Sequence, residues 1–137
     1  MTSKNLFDNS TSIIELTPSD FQKSKKYQLD IDKFGAKKAL VMFYAPWCPH
    51  CHHLKDTWNE LGLLSKTTMM AKNKTFKKGE IFIAVFNCEK YHEFVKDMNL
   101  QKREFIMGFP TIYIYEPNKP PKMFTGERNI KQLVGAI

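Results

Sequence analysis

Two cysteines, Cys48 and Cys51, stand three residues apart in the stretch YAPWCPHCHHL. His50 lies between them, and His52 and His53 follow. Residues of these types can do three kinds of chemistry. A close thiol pair can cycle between dithiol and disulfide. Thiols and imidazoles together can bind zinc. A thiol beside an imidazole can act as a nucleophile with its base. The elements that position these residues have to decide among the three.

Pro49 is suited to the first position of a helix, which puts Cys48 at the N-cap. From there Cys51, Leu54, Trp58, Leu61 and Leu64 recur at three- and four-residue spacing, so a helix is expected from about residue 49. Free amide donors and the positive end of the helix dipole then point at the cap sulfur. A thiolate is stabilised in that setting, and cysteines so placed titrate at about 3.5 to 7.5 rather than about 8.5. Cys51, one turn deeper, is expected to be the less exposed of the two. The roles follow: Cys48 attacks and Cys51 resolves. A zinc site fits less well. His50 lies between the cysteines, and His52 and His53 point away from their edge of the helix, so four ligands do not converge without a broken helix or a second chain. The two are read as exposed helix residues, and no metal is expected. A cysteine-protease reading leaves the second thiol without a role.

The rest of the chain reads as a scaffold for this turn. The 137 residues suffice for one domain with its own core. ALVMFYA (residues 39–45) and IFIAVF (81–86) are apolar without alternation, as in strands buried on both faces. IIEL is expected as a short strand, with a helix opening at Thr17 and Pro18. Tyr91, Phe94, Val95 and Met98 suggest a second amphipathic helix. TIYIY alternates, which places Tyr113 and Tyr115 on an outer face. KMF reads as an edge strand and NIKQLVGAI as a terminal helix. KNKTFKKGE, between the first long helix and the second buried strand, reads as a loop. The order is β-α-β-α-β-α-β-β-α, an α/β arrangement. Residues 1–12 are expected as an N-terminal tail and 13–137 as the domain. Three cysteines are too few for a disulfide scaffold, and Cys88, after a buried strand, is read as a small core residue. The net charge of +7 comes with lysine clusters but no nucleic-acid motif, and no apolar run is long enough for a membrane span.

The strings LVMFYAPWCPHC, GFPT and FTGER resemble a catalytic domain of the protein disulfide isomerases, within the thioredoxin superfamily. The resemblance runs from about Ile13 to the end. It implies a thioredoxin fold, with a central mixed sheet flanked by helices on both faces, and thiol-disulfide oxidoreductase or isomerase activity without a cofactor. Cys48 and Cys51 match the redox pair and Trp47 the tryptophan beside it. Pro110 matches a proline held cis next to the site, and the backbone of Phe109 is then expected to pair with an extended substrate segment. Arg128 matches an arginine that influences the resolving thiol. Four positions depart from the family. Pro49-His50 replaces the usual Gly-His and is the pair of a strongly oxidising bacterial relative; His50 beside the Cys48 thiolate favours the reduced form. Met42 stands where the family has a buried carboxylate, His52 where it has lysine, and Met107 where an arginine is common.

The reading is therefore a thioredoxin-fold enzyme acting on protein or peptide thiols and disulfides. Trp47, Phe109 and Pro110 form an apolar platform for extended chains, and an unidentified redox partner completes the cycle. A monomer is expected, with no nucleic-acid or membrane partner. The alternative is a redox-inactive thioredoxin-fold module that docks peptides or partners and keeps its Cys/His cluster for structure or zinc. The first residues, MTSKNLFDNSTS, do not read as a secretory signal. The sequence leaves the location open: a cytoplasmic location and packaging in a virion are both compatible with it, although an oxidising pair suits an oxidising space.

Overall fold

The computed structural model describes residues 6–7, 10–71 and 74–137. Its centre is β2 (Lys38–Tyr44), which pairs parallel with β5 (Ile81–Asn87) and antiparallel with β6 (Thr111–Tyr115). Neighbours on both sides and layers on both faces explain why β2 and β5 are apolar without alternation. β1 (Ile14–Leu16) adds to β5 in parallel, and β7 (Lys122–Met123) adds to β6 in antiparallel fashion. The sheet is thus mixed and five-stranded, in the order β1-β5-β2-β6-β7.

Alternate residues of each strand feed two cores. Leu40, Met42 and Tyr44 of β2, with Ile83, Val85, Ile112 and Ile114, pack on one face with Cys51, Leu54, Trp58 and Leu61 of α1 (Pro49–Leu64) and Leu133 of α3 (Ile130–Ala136). Val41, Phe43, Ala84 and Phe86 pack on the other face with Met98 of α2 (His92–Gln101) and with Phe21, Leu29 and Phe105. The buried Trp58 indole donates to the Ala84 carbonyl of β5 at 3.0 Å. This bond ties α1 to the middle of the sheet and satisfies the ring's one polar atom.

Three expectations change. The helix at Thr17 is a single 3-10 turn, Pro18–Asp20, because the Asp20 carboxylate takes the Thr17 amide at 2.8 Å and Phe21 leaves in an extended conformation to bridge Leu29. Part of the lysine-rich stretch read as a loop is a strand, β4 (Lys74–Phe76), which pairs with β3 (Met69–Ala71) just before that stretch in a hairpin anchored by buried Met69 and Phe76; Lys72 and Asn73 lie outside the described residues. Tyr113 and Tyr115 are buried, not on an outer face. The α2 layer covers them, and carbonyls receive their hydroxyls: Phe105 for Tyr113 and Tyr27 for Tyr115.

The segment read as a tail also touches the body. Phe7 is buried edge-on against Tyr44, and Ser10 hydrogen-bonds Asn59 of α1. Gly62 permits that approach, since a Cβ there would stand 2.7 Å from the Ser12 carbonyl oxygen.

Candidate active site

β2 runs out at Tyr44, and the chain turns through Ala45–Trp47, where the Cys48 amide donates to the Ala45 carbonyl at 3.1 Å. Cys48 is the N-cap of α1 in an extended conformation, and Pro49 opens the helix. Its thiol makes no capping bond. Instead Sγ donates to the Phe109 carbonyl at 3.5 Å, so the thiol and the loop before β6 meet directly. Both thiols are free, that is, reduced. Cys48 is only 4% exposed, with Phe109 packed against the same cluster; Cys51, at 0%, is the deeper of the two, as expected.

Burial pushes the Cys51 thiol up to about 12. The Ala45 backbone is the main opposing influence, Cys48 adds to the rise through a hydrogen bond and its charge, and the Arg128 guanidinium favours the thiolate to a smaller degree. Arg128 is exposed and is steadied by a 3.3 Å bond from Nη2 to the Pro110 carbonyl. Arg128 thus acts on Cys51 through its charge, and among the described residues no carboxylate contributes to the shift. Met42 fills the corresponding place, fully buried on the α1 face. Glu15 stands in the same row of the sheet, with Val85 of β5 between them, and its carboxylate accepts the Tyr44 hydroxyl at 2.8 Å.

Beside the thiols the surface is apolar. Trp47 is 63% exposed and its ring meets that of Phe109 edge-on at 6.0 Å, while Met107 is 74% exposed. The Phe109–Pro110 bond is cis. The loop carrying these residues is clamped from below by Asn99 of α2. Its amide nitrogen donates to the Ile106 carbonyl at 3.0 Å, and its oxygen accepts the Ile106 amide at 2.8 Å. Asn99 was not anticipated, since a lone polar residue in an amphipathic helix reads as a solvated position. The histidines lie on the exposed side of α1. His50 faces His53 edge-on at 6.3 Å, and His52 contacts the Pro46 carbonyl. Among the described residues no group of three or more His, Cys, Asp or Glu could hold a metal ion.

The family model for thioredoxin matches residues 18–137. This chain belongs to the thioredoxin family. Within that family it is similar to "Protein disulfide-isomerase like 2-2" of Arabidopsis thaliana, 31% identical over 93% of this chain and 23% of the relative. It is likewise similar to "Protein disulfide-isomerase A6" of Homo sapiens, 31% identical over 96% of this chain and 24% of the relative. The chain thus spans about a quarter of the length of these curated relatives. The J-Trx1 fragment of ERdj5 superposes with a TM-score of 0.70 over 98% of this chain and 54% of the fragment; at 21% identity this likeness concerns the thioredoxin fold. The mixed sheet with α1 and α3 on one face and α2 on the other is that fold, and it places the cysteine pair at the head of α1.

Proposed function

We propose that the chain is a thiol-disulfide oxidoreductase that acts on protein disulfides through Cys48 and Cys51. The observation that carries this reading is the contact between the two thiols and the substrate-facing loop: a capping Cys48 bonded to the Phe109 carbonyl, with a buried Cys51 bonded to it from beneath. In the reducing direction the Cys48 thiolate attacks one sulfur of a substrate disulfide, and the other substrate sulfur leaves as a thiolate. The Cys51 thiolate then attacks Cys48 Sγ and releases the second substrate thiolate. Two electrons pass to the substrate, and the chain is left with the Cys48–Cys51 disulfide. Run backwards, the same steps oxidise a substrate dithiol. Trp47, Phe109 and Pro110 form the ledge on which an extended segment lies, its backbone beside that of Phe109. Arg128 favours the Cys51 thiolate in the second step.

Reduction of insulin disulfides by the metal-free protein with a thiol reductant is the direct test. Turnover is expected. Absence of turnover together with one bound zinc per chain would instead favour a docking module whose cysteines hold metal.

His50, exposed in the first turn of α1, tunes how oxidising the pair is. An imidazole there stabilises the thiolate and hence the reduced pair. His50→Ala is expected to make the disulfide a weaker oxidant, with a shift of about 30 mV for each 1.4 kcal/mol of lost stabilisation. Equilibration against a thiol buffer reads the potential, and an unchanged value would remove His50 from the mechanism.

A further inference from the structure

At the end of the sheet away from the thiols, the rows of β2 and β6 that are apolar beneath α1 and α3 turn charged. Alternation puts Lys38 in the row of Leu40 and Met42, and Glu116, just past β6, in the row of Ile112 and Ile114. Lys122 of β7 stands opposite Ile114 and so lies on the same face. α3 stops at Ala136, and a hollow of about 580 Å³ opens at its end. Lys38, Lys74, Lys119 and Lys122 line this hollow with Glu116, four ammonium side chains to one carboxylate side chain. Glu116 is already engaged. Lys38, whose side chain is 13% exposed, pairs with one of its oxygens, and Lys119 pairs with the other at 3.1 Å. The Lys38 hydrogen bond, helped by that of Lys119, holds the carboxyl below its usual range against the effect of burial, so the group is ionised and fixed. Lys74, from the β3–β4 hairpin, and Lys122 are both exposed, and among the described residues neither has an ion-pair partner.

We infer that this hollow binds a compact anion with two or more phosphate groups, held by Lys74 and Lys122 and backed by the Lys38–Glu116–Lys119 network. Charge complementarity carries the inference: two ammonium groups without partners, on separate elements, face a space whose one carboxylate side chain is already paired twice. The kind of cation selects the kind of anion. A lysine meets phosphate as a point charge, whereas planar carboxylates favour the arginine fork. Among the described residues no arginine lines the hollow, and no aromatic ring does. A nucleobase therefore has nothing to stack on, and a nucleic-acid strand lacks its usual platform. Ile114, Ala136 and Ile137 instead offer an aliphatic wall to a carbon skeleton. The volume is that of a small-molecule site. β2, about 20 Å long, runs from Lys38 at this end toward the turn that carries Cys48, so the inference is independent of the oxidoreductase reading.

Isothermal titration calorimetry of the full chain with sodium tripolyphosphate at low salt is the test. One site per chain is expected, with an affinity that falls as salt is added. Lys74→Glu and Lys122→Glu each replace an attraction by a repulsion and should weaken binding about tenfold. Both positions are exposed, so the fold is expected to survive each change. Lys96→Glu makes the same change of net charge on exposed α2, against the other face of the sheet, and should weaken binding less than about twofold. Vesicles of phosphatidylcholine with and without a bisphosphorylated inositol lipid separate the two sources of such phosphates. Lys122-dependent binding to the phosphorylated vesicles puts them on a lipid headgroup, and binding of tripolyphosphate without vesicle binding puts them on a soluble molecule. No binding at low salt overturns the inference. Equal weakening in all three variants would mean that tripolyphosphate reads net charge alone, which overturns it too. A single-stranded oligonucleotide that binds more tightly than tripolyphosphate, and does so through Lys74 and Lys122, would assign this face to nucleic acid and likewise overturn it.

Discussion

Cys51→Ser is expected to turn the protein into a trap for its substrates. Cys48 still attacks, but the mixed disulfide loses the thiol that resolves it. In the wild type that thiol lies directly beneath Cys48 and is hydrogen-bonded to it, so resolution is intramolecular. Effective molarities for well-placed intramolecular groups far exceed the millimolar level of any added thiol. The adduct should accordingly live on the order of a thousandfold longer. Non-reducing electrophoresis detects it, and mass spectrometry of the digest should map it to Cys48. Cys88 is not expected to compete. It is buried, its Sγ contacts the Phe86 carbonyl at 3.7 Å, and burial holds its thiol well above the ordinary range. Adducts found on Cys88 would overturn the assignment of roles.

Met42→Glu is expected to speed the second step by about tenfold or more and to leave the first nearly unchanged. Cys51 must lose its proton before it attacks, and burial holds that proton to about pH 12 in the reduced pair. When Cys48 is tied up in a mixed disulfide its raising influence disappears, but the larger cause, burial, remains. The sign is therefore clear. The thiolate is scarce at neutral pH, and the resolution rate of the wild type should climb about tenfold per pH unit between 7 and 9. A methionine cannot take the proton. A carboxylate in its place acts as a general base and should flatten this slope. The gain costs stability, because an ionised carboxylate among apolar neighbours is expensive to desolvate. Stopped-flow kinetics with a disulfide peptide separates the two steps. Equal resolution rates in both proteins would mean that another group already accepts the proton. Glu15 is then the first to examine, through Glu15→Gln, since it shares the sheet row of Met42 at a distance of two strand spacings, roughly 10 Å.

The cysteine pair and the strands beneath it were legible because each depends on local chemistry. Pro49 fixes the start of α1, and the unbroken apolar runs of β2 and β5 announce strands covered on both sides. What was not legible depends on tertiary partners. Thr17 and Pro18 carry a helix signal that the extended exit of Phe21 cancels. The β3–β4 hairpin hides beside a lysine-rich stretch because, among its described side chains, Met69 and Phe76 are the ones that face inward. Tyr113 and Tyr115 looked outward because their hydroxyls are polar, but distant carbonyls receive them. Asn99 could not be read at all, since its value lies in a backbone seven residues away.

That asparagine separates two properties that meet only at the surface. The thiols belong to α1, in the layer on one side of the sheet, whereas the ledge they face hangs from α2, in the layer on the other. On the proposed oxidoreductase reading, oxidising strength and choice of client are therefore expected to be separable. The dipeptide between the cysteines can be exchanged to retune the potential while Asn99 keeps the ledge in place, and residues such as Met107 can be exchanged to favour other clients without disturbing the head of α1.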